Sequence, residues 1–179
     1  MNYIIVDLEA TCWQGKRLGK NETIEIGAVL VNDNKEIVSE FEQFVKPLQH
    51  PTLSPFCTEL TSIQQADVDD APHFNEAINL FLEWCTQGNE DFVLCSWGRY
   101  DKNQFQSDCL IHGLDAEWTT KHISLKHQYT DIKNLKRHVG MKGALWHEKF
   151  TLEGTHHRGI DDARNIAKIF VRYFDDWMY

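Results

Sequence analysis

The spacing of the apolar residues changes near Pro72 and divides the chain into a strand-rich part and a helix-rich part. Before this point, residues 3–9, 23–32 and 36–45 form three apolar-rich runs, and the third partly alternates apolar and polar residues, as a half-exposed strand does. The NDN of residues 32–34 is a turn signal between the last two runs. We therefore predict three strands, of which the last two are joined by a short turn.

The remaining elements are predicted from helical spacing and from one short apolar run. Residues 47–72 contain all four prolines, and we expect them to form a long connection with short helical turns. Beyond it we predict a helix over 74–85, a buried strand over 92–97, a helix over 101–112, helical turns within 124–139 and a long final helix over 160–174. Three strands followed by helices and another strand indicate an α/β fold, with helices packed on the faces of one sheet.

Length and composition favour a single domain spanning residues 1–179. With 179 residues and 42% hydrophobic content, the chain is long enough to bury one sizeable core. No stretch approaches the roughly 20 apolar residues that cross a bilayer, and the opening MNYIIVDLEA lacks the basic region of a signal peptide. The five cysteines form no C-x-x-C pair, so we expect reduced thiols near the core and a cytoplasmic protein that does not associate with membranes.

The net charge of −9 opposes sequence-independent binding to polyanions, but one segment of the chain is basic. Residues 121–142 carry six lysines or arginines and three histidines against one acid, Asp131. Two interpretations stay open: the solvated face of amphipathic helices, or a local patch that binds phosphate groups. Any role in nucleic-acid binding must therefore be local.

Two acids, Asp7 and Glu9, interrupt the first predicted strand at positions i and i+2. Such residues point to the same face of a strand, with Cα atoms about 6.5 to 7 Å apart, which suits two ligands of one cation. Ionised carboxylates in a packed sheet need water or a positive charge, because burial and mutual repulsion otherwise drive protons onto them. A D-x-E pair is also common at solvated strand ends, so a metal site needs further acids.

Further acids occur at two later places in the chain. Asp101 follows the strand predicted at 92–97, at the edge where open sheets bind ligands, although an Asp there can also be an ordinary first-turn helix residue. Asp161 and Asp162 lie at the start of the final helix. A negative charge there stabilises the helix dipole, and for one of the two this is a sufficient explanation. Asp162 is the better ligand candidate.

Carboxylate ligands suit Mg²⁺ or Mn²⁺ rather than zinc. Two such ions about 4 Å apart promote attack of water on phosphodiesters, and a neutral histidine is a suitable general base for that water. His157 precedes Asp162 by five residues and should lie in the loop before the helix. His156 competes with it for any role.

These residues resemble the motifs of the DEDDh 3′-to-5′ exonucleases, which have the ribonuclease H-like fold, over nearly the whole chain. VDLEAT at 6–11 is similar to the D-x-E-x-T motif, Asp101 to the second Asp, and HRGIDDA at 157–163 to the H-x-x-x-x-D-A motif. DLEATCW, NETIEIGAVLVN and LSPFCTELTSI resemble the histone-mRNA 3′ exonuclease and KapD-type subgroup, with Ser62 where a glycine is usual. The resemblance implies a mixed five-stranded sheet flanked by helices on both faces.

The resemblance also implies roles for the acids and the histidine. Asp7, Glu9 and Asp162 would hold the first of two divalent cations, with Asp7 shared by the second. Asp101 would support the second cation largely through water, and His157 would activate the attacking water.

A site for the terminal nucleotide is implied in the same way. The backbone around Ala10 and Thr11 would hold this nucleotide, and Phe56, with Leu60 or Trp13, would stack on it. For Phe56, simple packing under a long loop is an equally good explanation.

The predicted function is a metal-dependent exonuclease that releases nucleoside 5′-monophosphates from the 3′ ends of single-stranded RNA or DNA. The subgroup resemblance favours RNA, and partners acting in an RNA–protein complex are compatible with it. Glu25 would assist near the 3′ end, although a solvent-exposed strand acid is the simpler interpretation. Two alternatives stay open: a catalytically idle module that binds nucleic acid or a partner, and an endonuclease of the ribonuclease H type.

Overall fold

A mixed five-stranded sheet forms the centre of the protein in the computed structural model, which describes residues 1–16 and 18–179. Its strands are β1 (Asn2–Ala10), β2 (Thr23–Val31), β3 (Ile37–Phe44), β4 (Phe92–Ser96) and β5 (His122–Ser124). They lie in the order β3–β2–β1–β4–β5; β2 is antiparallel to both of its neighbours, and β1, β4 and β5 are parallel. Cys95 pairs with Ile5, so β4 ends beside the middle of β1, just before Asp7.

Helices connect these strands and cover both faces of the sheet. They are α1 (Pro55–Thr61), α2 (Gln65–Asp69), α3 (Phe74–Cys85), α4 (Tyr100–His112), α5 (Leu125–Ile132), α6 (Met141–Glu148) and α7 (Gly159–Arg172). Short 3₁₀ turns lie at Gln87–Asn89, Glu117–Thr119 and Phe174–Asp176.

The alternating side chains of β1 contribute to two hydrophobic cores. Tyr3 and Ile5 point to the face covered by α5, α6 and α7, whereas Ile4, Val6 and Leu8 point to the face covered by α3 and α4. Each fully buried aliphatic side chain contributes about 1.5 to 3 kcal/mol to folding. Because β1 is packed on both faces, the polar residues at its carboxyl end are held in fixed positions.

The predicted α/β fold class is confirmed, and most elements lie where the sequence places them. The strands predicted at 3–9, 23–32, 36–45 and 92–97 and the helices predicted at 74–85, 101–112 and 160–174 agree with the structure to within two residues at each end. The helical turns expected within 47–72 are α1 and α2.

The interval predicted as helical turns, 124–139, is more complex than expected. The chain first forms β5, whose three residues are too few to show a strand period. The helix α5 then ends at Ile132, and the chain turns away at Asn134, which has a left-handed φ of 49°. The following helix, α6, was not predicted.

Ser62 ends α1 in the left-handed conformation, with φ of 64°. Its backbone N–H donates to the carbonyl of Thr58 at 2.9 Å. A residue in this conformation at the end of a helix is most often glycine. The structure thus explains why glycine is usual at this position in the subgroup that the sequence resembles.

The cysteines are free thiols, as predicted. Four of them, Cys57, Cys85, Cys95 and Cys109, are buried, and Cys12 is half-buried. Across residues 1–16 and 18–179, every helix is too short or too polar to cross a membrane.

Candidate active site

Three carboxylates meet where β1 ends against the first turn of α7. Asp7 and Glu9 continue the series of Tyr3 and Ile5 along β1 and therefore point to the face that α7 covers. Asp162 lies in the first turn of α7, and one carboxylate oxygen from each of the three residues lies within 4.8 Å of the others. This spacing allows one cation to contact all three side chains.

The electrostatics of this group favour a bound cation. Burial, together with the charges of Asp101 and Glu9, raises the pKa of Asp7 well above its usual value. Burial and the neighbouring charges of Glu25 and Asp162 raise the pKa of Glu9 to about 8. Because the ionised forms are desolvated and repel one another, a divalent cation would relieve an unfavourable interaction that the fold itself creates.

Asp101 joins the same cavity from the other face of the sheet. It lies in the first turn of α4, is 4% exposed, and accepts a hydrogen bond from the backbone N–H of Leu8 at 3.1 Å. Burial raises the pKa of Asp101 to about 6, although the Leu8 amide and the charge of Lys126 favour its ionised form. Asp101 borders the cavity but lies outside the group of three carboxylates described above.

The two histidines contact Asp162 in different ways. The ring Nδ1 of His156 lies 2.9 Å from Asp162 Oδ2, whereas His157 donates its backbone N–H to the same oxygen at 3.0 Å. His157 has a left-handed φ of 66°, and the two imidazoles stack with their centroids 3.9 Å apart. Burial and the neighbouring His156 lower the pKa of His157, so its imidazole is neutral near pH 7.

Asp161 is separated from this group by its own contacts. Its carboxylate accepts hydrogen bonds from Arg164 Nη1 at 2.9 Å and from the backbone N–H of Thr155 at 2.8 Å. Of the two adjacent aspartates, only Asp162 belongs to the carboxylate group with Asp7 in the described part of the chain.

Glu25 has a structural position that the sequence prediction missed. Its carboxylate accepts hydrogen bonds from the backbone N–H groups of Gly159 at 3.0 Å and Ile160 at 3.4 Å, and from Arg158 Nε at 3.1 Å. The expectation of a solvent-exposed acid is wrong, because Glu25 is fully buried and all nine residues of β2 are buried. Glu25 therefore holds the start of the helix that carries Asp162.

The helix α7 crosses β2 at a glycine. Gly27 pairs with Asp7 across β1 and β2, and a Cβ atom at Gly27 would lie 2.0 Å from the backbone nitrogen of Ile160 and 2.1 Å from the carbonyl carbon of Gly159. Only a residue without a side chain permits this approach. The contact brings the first turn of α7 down onto the end of β1.

The carboxylates and histidines border a cavity of about 340 Å³. Its other walls are Leu8, Ala10, Cys12, Leu60, Trp97, Tyr100 and Met141. Of the residues predicted to bind the nucleotide, Ala10 and Leu60 are thus at the cavity. Tyr100, Trp97 and Met141 were missed by sequence reasoning, although Tyr100 could have been suspected from its place beside Asp101.

The other residues predicted to bind the nucleotide lie outside the cavity walls. Thr11 is buried, and its hydroxyl accepts a hydrogen bond from the backbone N–H of Glu22 at 3.0 Å. Trp13 packs edge-on against His50, with the ring centroids 5.0 Å apart. Phe56 is half-buried on α1. Their roles in binding a nucleotide stay predictions.

Comparison with known proteins finds relatives that align with most of the chain. ERI1 exoribonuclease 2 of Xenopus laevis is 33% identical and aligns with 97% of this chain, but the match covers 28% of that relative. The 3′-5′ exonuclease Snipper of Drosophila melanogaster is 32% identical over 98% of this chain and 70% of its own length. The chain thus spans only about a third of the ERI1-type vertebrate proteins that it matches.

A solved structure of the same shape is the nuclease domain of 3′hExo, a DEDDh family member, bound to rAMP. It has a TM-score of 0.92 and 29% identity, and it covers 98% of this chain and 92% of that one. A second solved structure shows 3′-end specific recognition of a histone mRNA stem-loop by a 3′-exonuclease. Its TM-score is also 0.92, with 28% identity, and the match covers 98% of this chain and 82% of that one. The family model described as an exonuclease of the RNase T type matches residues 4–170. The chain therefore belongs to this exonuclease family.

Proposed function

We propose that this chain is a divalent-metal-dependent 3′-to-5′ exonuclease that releases nucleoside 5′-monophosphates from single-stranded RNA. The observation that carries the proposal is the convergence of Asp7, Glu9 and Asp162 within 4.8 Å. Asp101 and His157 border the same cavity. Relatives named exoribonucleases, and a structural neighbour bound to rAMP, favour RNA over DNA.

The donor set fits hard divalent cations. Family membership implies divalent metal use, and carboxylate oxygens suit Mg²⁺ or Mn²⁺. We propose two ions: Asp7, Glu9 and Asp162 would hold the first, and Asp101, with Asp7, would support the second. When bound, such ions stabilise the negative charge that develops on the phosphate oxygens during hydrolysis.

The remaining groups of the cavity position the reactants and move one proton. The neutral imidazole of His157 accepts a proton from the attacking water, and Asp162 fixes the His157 backbone by accepting its N–H at 3.0 Å. Ala10, Leu60 and Tyr100 border the space for the terminal nucleotide. A cavity of about 340 Å³ suits a single nucleotide rather than a duplex, which is consistent with attack at a single-stranded end.

The proposal extends to the setting in which the protein acts. One structural neighbour recognises the 3′ end of a histone mRNA stem-loop, and we propose that structured targets reach this site within an RNA–protein complex. The free thiols favour a reducing compartment such as the cytoplasm.

The test uses a 5′-labelled single-stranded RNA with Mg²⁺ or Mn²⁺, and a circular RNA of the same sequence. We expect a ladder that shortens from the 3′ end, release of nucleoside 5′-monophosphates, no cleavage of the circle, and loss of all activity in EDTA or in the Asp7→Asn variant. Cleavage of the circle would indicate an endonuclease. Tight binding without hydrolysis under both metals would indicate an idle binding module.

A further inference from the structure

The outer face of α6 and the loop before it combine an exposed aromatic ring with several cations. We call this the α6 surface and define it by Lys136, Arg137, Lys142, Trp146 and Lys149, all of which are exposed. At 77% exposure, Trp146 is the most exposed large hydrophobic residue in the described part of the chain. A tryptophan this exposed buries little apolar area in the fold, so its contribution to the core is small.

The packing of α6 fixes the direction in which this tryptophan points. Met141, Ala144 and Leu145 are buried against α7 and the sheet. The opposite face carries Trp146, with Lys142 four residues before it and Lys149 three residues after it. Residues four apart are neighbours on a helix surface, so Lys142 lies one turn before the indole. Lys149 directly follows the last residue of the helix and has a left-handed φ of 60°.

Two other cations of the basic segment 121–142 are held in ion pairs. Lys121 pairs with Asp91 at 3.0 Å, and Lys133 pairs with Glu148 at 3.1 Å. The side chain of Glu148, the one acid of α6, is 2% exposed and also binds Arg172 at 2.9 Å.

The four cations of the α6 surface, by contrast, form no ion pair within residues 1–16 and 18–179. On a protein with a net charge of −9, they form a local positive surface. This surface suits an anionic ligand.

The α6 surface is continuous with the candidate active site. Met141, the first residue of α6, borders the cavity, and Trp146 lies five residues further, about 7.5 Å along the helix axis. The indole N–H of Trp97, another wall of the cavity, donates to the carbonyl of Val139 at 3.1 Å and fixes the loop before α6. Lys142, the residue after Met141, is also close enough for its charge to act on His157.

We propose that the α6 surface binds the part of a single-stranded RNA that lies upstream of its 3′ nucleotide. Trp146 stacks on a base, and the neighbouring lysines and arginine contact phosphates. Stacking on an aromatic ring combined with cations along the backbone is how proteins bind single strands without reading their sequence. The proposal rests on the proposed function, because it takes RNA as the substrate of the adjacent cavity.

The experiment compares a dinucleotide with an RNA of about twelve nucleotides, because only the longer RNA has bases upstream of the cavity for Trp146 to stack on. We expect Trp146→Ala to lower kcat/KM on the longer RNA by about tenfold and to leave the dinucleotide unchanged, since the shorter substrate does not reach α6. Trp146→Phe should retain most of the activity. The control is Leu110→Ala, which removes a side chain on α4 that is 71% exposed, close to the 77% of Trp146. We expect this variant to leave kcat/KM unchanged for both substrates.

A second arm tests the charges. Lys142→Gln combined with Lys149→Gln should weaken binding of the longer RNA, measured by anisotropy in Ca²⁺, and should make that binding less dependent on salt. Lys121→Gln is the matched control, because Lys121 belongs to the same basic segment but is paired with Asp91.

The outcomes separate this inference from the proposed function. Equal effects of Trp146→Ala on both substrates, or no effect on the longer one, would overturn the inference while leaving the exonuclease intact. If the protein binds the longer RNA through Trp146 but hydrolyses neither substrate, the inference stands and the proposed function fails. Binding of neither RNA would overturn the inference, and absence of hydrolysis as well would overturn both.

Discussion

At the scale of single residues, the two adjacent histidines differ in the atom that contacts Asp162. His156 uses its ring nitrogen, whereas His157 uses its backbone N–H. The imidazole of His157 therefore makes no hydrogen bond to another described residue, although it borders the cavity. A general base needs such an uncommitted nitrogen, and we therefore propose this role for His157.

The assignment predicts different kinetic losses for the two histidines. We expect His157→Ala to lower kcat by about 10²- to 10⁴-fold at saturating metal, as loss of a general base does. His156→Ala removes a contact of a proposed metal ligand, so it should mainly raise the metal concentration needed for activity, by about 10- to 100-fold. Metal titrations of kcat for both variants measure this. A larger loss of saturated kcat in His156→Ala would reverse the assignment.

Sequence reasoning identified the acids better than their surroundings. Asp7, Glu9 and Asp162 could be found because the pattern of a strand and the start of a helix place their side chains. The choice between two adjacent loop histidines depends on the left-handed backbone of His157, which no spacing rule contains. Glu25 was misjudged because the polar residue was expected to mark an exposed face, whereas β2 is buried throughout.

At the scale of elements, the position of α7 decides whether the carboxylates meet. Two contacts set this position: the carboxylate of Glu25 at the first backbone N–H groups of the helix, and the close crossing over Gly27. The helix itself could be predicted from its apolar spacing, since Ile160, Ala163 and Ile166 lie on one face. The distance of this helix from the sheet could not be predicted, because it depends on contacts between residues that are distant in sequence.

Removing Glu25 should destabilise the protein strongly. Glu25→Ala leaves Arg158 and two backbone N–H groups without their buried partner, and breaking such a pair costs about 3 to 5 kcal/mol. Urea unfolding measures the loss. The matched control is Glu42→Ala, which removes the other partner of Arg158; this acid is 43% exposed, and we expect a loss below about 1 kcal/mol. Similar losses for the two variants would contradict a structural role for Glu25.

A methyl group at Gly27 should separate the proposed metal ligands. Gly27→Ala places a Cβ within 2.0 Å of the backbone of Ile160, so α7 must shift away from the sheet, at a cost of about 1 to 3 kcal/mol or more. We expect weaker metal binding and a lower kcat in a protein that remains folded. Gly140→Ala is the control, because nothing lies within 4 Å of the added Cβ. Normal metal affinity in Gly27→Ala would show that the crossing is not needed.

At the scale of the whole molecule, repulsion between carboxylates is concentrated at one end of the sheet. The composition predicts a net charge of −9 but not where the charges lie. Buried acids at the centre of the fold link the stability of the protein to pH and to metal. This link could be anticipated from Asp7 and Glu9 in the sequence, but its size depends on burial, which only the structure shows.

Stability without metal should therefore fall as pH rises. The pKa of Glu9 is raised to about 8, above its value in the unfolded chain, so the folded state binds more protons and loses stability as pH rises through that value. We expect Tm in EDTA to fall between about pH 5 and pH 8 and Mg²⁺ to restore it, most strongly at the higher pH.

Glu9→Gln is the control for this prediction, because it removes one buried carboxylate and retains every other titratable group. Its Tm should fall less over the same range. If the variant and the unchanged protein show the same slope in EDTA, the carboxylates do not carry the effect.

The contact between Glu25 and the start of α7 also has a consequence for local dynamics. The amide hydrogens of Gly159 and Ile160 are bound to a buried carboxylate, so they exchange with solvent only when the first turn of α7 opens. That opening carries Asp162 away from Asp7 while the sheet stays intact. Hydrogen exchange at these two amides therefore reports how often the proposed metal site disassembles in the folded protein, independently of any substrate.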